Sequence, residues 1–195
     1  MFNWLKRWIR PGRQMPPATL PIDPALFDQD GASLYAALGG RWASSDPFIY
    51  TRHRTRAAAD ALEQRYALRL PEDFRAYLGH AAPAATFMDD FGTQWWGVAD
   101  IKPLSEECAD WKAEDIGRTI MAESGAYLVF ADYLLWCYAW AICCSDGPNR
   151  GRIALIGGGR DAFVADDFRT FVRMALVDDV TIHQAPGRRG NTDGR

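Results

Sequence analysis

The chain has 195 residues, 48% of them apolar, which is ample for one domain with its own core and excludes general disorder. Its net charge of −3 is unevenly spread: residues 1–20 carry +4, residues 183–195 carry +2, and the body between them is left with −9. An acidic body repels phosphates, which argues against nucleic acid as a partner, and it suits a basic protein.

The leader, residues 1–24, is basic and proline-rich and has no apolar run long enough for a secretory signal before Pro11, Pro16 and Pro17. Phe2, Trp4, Leu5, Trp8 and Ile9 interleave with Lys6, Arg7 and Arg10 as in a short amphipathic helix. Such a helix rests on anionic lipid, or docks its two tryptophans on the body or a partner. A single domain is expected over residues 25–182, followed by a polar tail, 183–195. A weak helix is predicted over Ala25–Leu38, interrupted at Asp30-Gly31 and ended near Gly39-Gly40, with Trp42–Tyr50 as a connection.

Ala58, Leu62 and Tyr66 form one apolar stripe on a helix predicted over Thr55–Tyr66. Leu68 and Leu70 alternate with Arg69 as a short half-buried strand would. Pro71 then stops the first helix and opens a second, Pro71–Gly79, whose first turn holds Glu72 and Asp73 where the helix dipole favours carboxylates. His80-Ala81-Ala82-Pro83 breaks the chain. A strand over Thr93–Asp100 follows a turn at Gly92, and Ser105 is a candidate N-cap for a helix through Trp111.

Residues 127–144 are almost wholly apolar, but Asp132 sits among them and basic anchors are missing, so buried strands are expected rather than a membrane span. Tyr127–Ala131 is the first strand, Asp132–Leu135 a bend and Trp136–Cys144 the second. Ser145–Gly151 reads as a turn, Arg152–Ile156 as a strand, Gly157–Gly159 as a hairpin turn and Phe163-Val164 as a last extended piece. Asp166 is the expected cap of a closing helix with Phe168, Phe171, Val172, Ala175 and Leu176 on one face. The order of elements predicts an α+β fold, an antiparallel meander packed against helices.

The chemistry is sparse. His53, His80 and His183 lie in no catalytic motif, Gly157-Gly158-Gly159-Arg160 lacks the lysine and Ser/Thr of a phosphate loop, and the paired acids lack further ligands at metal spacing. Cys108, Cys137, Cys143 and Cys144 form neither a CxxC nor a disulfide framework, so buried free thiols in a reducing compartment are expected. No catalytic residue, cofactor or metal is expected. Asp132 is expected to be buried, and must then find backbone N–H groups or an arginine. Residues 86–123 are the most acidic stretch, with nine acids against Lys102, Lys112 and Arg118. Asp89, Asp90, Glu106, Glu107, Asp110, Glu114 and Asp115 are accordingly candidate partner-binding residues, the alternative being a solvated surface.

Several landmarks recur in one order over about Thr55–Leu176: Glu63-Gln64-Arg65-Tyr66, Leu70-Pro71-Glu72-Asp73-Phe74, Trp95-Trp96-Gly97, Leu128 to Leu134, and Val164 to Phe171. Together they resemble the SUKH superfamily, which includes yeast cell-wall assembly regulators of the Smi/Knr type and many bacterial toxin-immunity proteins. The chain departs from the pattern at His80–Pro83, where the family often has an Asn-Gly-Gly-like turn. The resemblance implies an α+β binding module without catalytic residues, a cytoplasmic immunity protein that neutralises a secreted or contact-dependent toxin by stoichiometric binding. The other expectation is a regulatory scaffold held at a membrane surface by the amphipathic N-terminus.

Overall fold

The structure, a computed structural model, describes residues 22–29, 31–45, 50–53 and 57–184. The basic leader through residue 21, the start of the helix expected from Thr55, and the tail beyond residue 184 lie outside the described residues. Helices α1 (Gly31–Ser45), α2 (Ala58–Tyr66) and α3 (Glu72–His80) come first, then strands β1 (Phe87–Met88), β2 (Thr93–Trp95) and β3 (Lys102–Pro103). Short helices α4 (Leu104–Glu107), α5 (Ala113–Ile116) and α6 (Arg118–Ala122) lead into β4 (Tyr127–Tyr133), β5 (Tyr138–Cys143), β6 (Ile153–Ile156) and β7 (Phe163–Ala165), and α7 (Phe168–Leu176) follows. Among the described residues this is an α+β fold around one seven-stranded antiparallel sheet of order β1-β2-β4-β5-β6-β7. β2 and β3 share one edge of β4, while β4 to β7 form the expected meander.

The core is built from rings. Phe74 and Tyr77 of α3 and Phe168 and Phe171 of α7 are buried against Phe130, Trp95 and Trp140 of the sheet, with Phe74–Phe168 at 4.9 Å and Trp140–Phe171 at 5.3 Å between centroids. β4 is buried from Tyr127 to Asp132, as a strand covered on both faces must be, and Leu104, Cys108, Ile116 and Ile120 from the α4–α6 segment join the same core.

α1 runs through Gly39-Gly40 to Ser45 instead of ending there. Burial of Trp42 against Tyr50, Phe87 and Trp95, at 5.0–5.3 Å, outweighs the roughly 1 kcal/mol that each helical glycine costs. Gly39 has a packing reason as well: a Cβ there would lie 3.1 Å from the His80 carbonyl oxygen and from the Tyr50 hydroxyl. Trp42 is thus core, not connection.

The joint between α2 and α3 keeps its stiff elbow but no strand. Ala67 is left-handed (φ 52°) and Pro71, at φ −56° and ψ 139°, occupies the cap of α3. Leu68, Arg69 and Leu70 alternate in burial, yet side chains take the backbone groups a ladder would use. The Leu70 N–H donates to Glu63 Oε1 at 2.9 Å, and the Arg150 guanidinium donates to the Arg69 and Leu70 carbonyls at 3.0 and 3.2 Å. Arg75 binds the other Glu63 oxygen at 2.6 Å and also pairs with Asp60.

Other boundaries shift for local reasons. β2 ends at Trp95, not Asp100, because Trp96 turns its indole inward and the Gly97 N–H bonds the Thr86 hydroxyl at 2.8 Å. Pro103, held in β3, takes the cap expected of Ser105, and α4 stops at Glu107, with Trp111 drawn onto Trp136 at 5.6 Å. Asp167, not Asp166, caps α7 through the Thr170 N–H at 2.6 Å; Asp166 pairs with Arg152 instead. Asp132 and Tyr133 belong to β4, so the bend falls at residues 134–137. Cys108, Cys143 and Cys144 are buried free thiols, whereas Cys137 is exposed.

Candidate functional site

The connection between β4 and β5 is the most strained segment described. Leu134, Leu135 and Trp136 are left-handed in succession, at φ 45°, 60° and 71°, a conformation that costs a non-glycine residue about 1–2 kcal/mol each. Surrounding bonds hold it. Asp132, fully buried, accepts the Trp136 N–H on Oδ1 and the Trp96 indole N–H on Oδ2, both at 2.7 Å. The Leu134 N–H reaches the Gly92 carbonyl at 3.1 Å, and the Cys137 N–H the Tyr133 carbonyl at 2.8 Å. The expected need of Asp132 for donors is met by one backbone N–H and one indole.

This turn presents Leu134 and Leu135 to solvent at 48% and 69% exposure. The other exposed large apolar side chains described are Met88, the last residue of β1, Phe91 in the β1–β2 turn, and Val177 and Val180 after α7. Pairing of Thr93 with Tyr133 sets the β1–β2 hairpin, with Met88 and Phe91, beside the turn. On the other side His183 lies against Tyr133 at 4.8 Å and its Nε2 is 3.5 Å from Asp178, between Val177 and Val180 in the chain. Phe91, Leu134 and Leu135 are therefore exposed apolar side chains on adjoining turns, since Leu134 lies against Gly92, the kind of grouping that marks an interaction surface. Sequence reasoning missed it because a bend and a turn read as ordinary surface. The one available signal was the pair Leu134-Leu135 directly after a buried acid and a tyrosine.

The acidic candidates divide. Asp89 is half-buried and accepts the Phe91 and Thr93 N–H groups at 3.0 Å and the Trp95 indole at 2.8 Å; burial pushes its carboxyl up against those bonds. It builds the hairpin. Glu107 is held by Lys102 at 2.5 Å and Asp115 by the Lys112 N–H at 2.9 Å. Asp90, Glu106, Asp110 and Glu114 are exposed. Glu106 and Glu107 face Lys102 and Tyr66, away from the turn. Asp90 precedes Phe91 on the hairpin, Asp178, which the sequence did not single out, reaches His183, and Asp110 precedes Trp111, whose ring packs on Trp136. An open groove of about 500 Å³ is lined by Trp111, Glu114, Asp115 and Gly157–Gly159.

Other reactive groups are occupied or muted. His183, expected at the start of a polar tail, is half-buried, with Nδ1 2.7 Å from the Tyr138 hydroxyl, whose pKa burial pushes up. The Cys108 and Cys144 thiols are pushed up by burial to about 11 and about 12. Among the described residues no group of three His, Cys, Asp or Glu could hold a metal ion, and no helix is long and apolar enough to cross a membrane. Compared with models of known protein families and with curated proteins, the chain matches none.

Proposed function

We propose that the chain is a non-enzymatic binding module of the SUKH kind, a cytoplasmic immunity protein that neutralises a basic toxin by stoichiometric binding. Its landmarks support the reading by their placement: the Leu70-Pro71 elbow joins two core helices, Trp95-Trp96-Gly97 ends the strand beside β4, and the capped α7 closes the core. The observation that carries it is the exposed apolar group Phe91, Leu134 and Leu135 on adjoining turns, with the exposed acid Asp90 next to Phe91 in the chain. An apolar centre supplies affinity on desolvation, and an adjacent acid steers a basic partner and excludes wrong ones.

The test is purification of the chain from its native cell, identification of the bound protein by mass spectrometry, and titration of that protein's toxic activity. A 1:1 complex that abolishes the activity, weakened at least tenfold by Leu134→Asp/Leu135→Asp, is expected. A bound protein without toxic activity, or one whose toxicity the chain leaves intact, refutes the reading.

A further inference from the structure

We propose that Asp146, in the turn between β5 and β6, is a site of spontaneous backbone modification: the Asp146-Gly147 pair closes to a succinimide and reopens as isoaspartate. This inference is independent of the immunity reading, since it concerns the chemistry of one turn.

The reaction needs a carboxyl that can reach the amide nitrogen of the next residue. That nitrogen attacks the side-chain Cγ, and the carboxyl hydroxyl leaves with the amide proton as water. Water then adds to the α-carbonyl of the imide and breaks its bond to nitrogen, so that the chain continues through the side-chain carbonyl and a free α-carboxylate is left. Addition at the other carbonyl restores aspartate. Water is the only other reactant, and nothing is oxidised or reduced. Glycine favours ring closure because no Cβ shields its nitrogen or restricts the backbone.

The fold decides where that chemistry is open. Asp89, Asp115, Asp161, Asp167 and Asp179 all accept backbone N–H groups, which fix their carboxylates. Asp146 differs. Its side chain is 90% exposed, and it pairs with Arg150 at 3.3 Å, an exposed contact that restrains it little. Among the described residues nothing accepts the Gly147 N–H, and a Cβ added at Gly147 would meet nothing within 4 Å. The bonds that hold the turn leave this amide alone: the Gly147 carbonyl accepts the Arg150 N–H at 3.1 Å, and the Gly151 N–H reaches the Cys143 carbonyl at 2.8 Å.

Arg150 carries the consequence into the rest of the fold. Isomerisation adds a methylene to the main chain and removes the side-chain oxygen that faces Arg150, whose guanidinium also donates to the Cys144, Arg69 and Leu70 carbonyls at 2.9, 3.0 and 3.2 Å. The modified turn therefore slackens the tie between the β5–β6 connection and the α2–α3 elbow.

The test incubates the folded full chain at neutral pH in heavy-oxygen water and locates isoaspartate by electron-transfer fragmentation of its peptides, which separates position 146 from the Asp-Gly pairs at 30–31 and 193–194. Isoaspartate at 146 is expected, carrying one heavy oxygen and forming within threefold of the rate in a free peptide of residues 145–151. Gly147→Ala, for which the turn has room, should lower the rate at least fivefold. Asp146→Asn, which closes the same ring with loss of ammonia, should form isoaspartate at least fivefold faster than the wild type. No isoaspartate at 146, product without heavy oxygen, formation more than threefold slower than in the peptide, or a rate unchanged in either variant overturns the proposal.

Discussion

The Trp136 N–H donates to Asp132 Oδ1 at 2.7 Å, closing from inside the core a turn in which three consecutive non-glycine residues are left-handed. The other carboxylate oxygen takes the Trp96 indole, so one buried group couples the end of β2 to the display of Leu134 and Leu135. No arginine or lysine among the described residues pairs with Asp132. Its two N–H donors are what oppose the cost of burying it.

Removing that group should be costly. Asp132→Ala leaves one buried and one part-buried donor without acceptors, at about 1–3 kcal/mol each, so urea unfolding should show a loss of about 2–6 kcal/mol. Asp132→Asn keeps one acceptor oxygen and should lose clearly less. Equal losses for the two variants would mean that cavity formation, not the hydrogen bonds, dominates.

Leu135 offers a test of strain. At an ordinary exposed site alanine is more stabilising than glycine, but a left-handed residue reverses the order because glycine has no Cβ to clash. Leu135→Gly should therefore unfold at higher urea than Leu135→Ala, by about 1 kcal/mol in stability. If alanine is the more stable, the turn is not left-handed at that residue.

Thiol reactivity should separate one cysteine from three. Cys137 is exposed, while burial keeps Cys108 and Cys144 protonated at pH 8 and Cys143 is likewise buried. Ellman's reagent at pH 8 should titrate one thiol at once and the remaining three only in denaturant. Fast reaction of two or more in the native state would contradict the packing of β5.

The acid limb of stability should depend on Glu63 and Asp161. Burial opposes ionisation of Glu63, but the Leu70 N–H and Arg75 outweigh it and hold the carboxyl below its ordinary 4.5. Asp161 is likewise desolvated, yet the Ile120 and Thr119 N–H groups bring it below 3.8. Both carboxyls are depressed in the fold, so the unfolded chain takes up protons first as pH falls. Their contribution is in place above the ordinary values and is lost as pH drops through the folded ones. Glu63→Gln should flatten the decline below 4.5, and Asp161→Asn the decline below 3.8. Asp89, raised by burial, works in the opposite direction over the acid range. An acid limb unchanged in both variants would rule out the bonded geometry at those carboxylates.

The α+β class and most elements were legible in local pattern. Phe168, Phe171, Val172 and Ala175 repeat with the helical period, and Pro71 cannot continue a helix. Where the reading failed, a distant partner decided. Gly39-Gly40 looks like a stop, until Trp42 finds Tyr50, Phe87 and Trp95 across the core. Leu68 to Leu70 looks like a strand, until Arg150, some 80 residues on, takes its carbonyls. The seven candidate acids of residues 86–123 looked equivalent, but local turns engage three of them: Asp89 with Phe91, Thr93 and Trp95, Glu107 with Lys102, and Asp115 with the Lys112 N–H.

What the sequence by itself determined is the set of amphipathic faces, the breaks between them and the charge contrast between leader and body, because these depend on residue type and local spacing. Tertiary structure alone decided that Phe91, Leu134 and Leu135 are displayed on adjoining turns. Strand register and the bonds of a buried carboxylate bring those positions together, and neither is a property of any one segment.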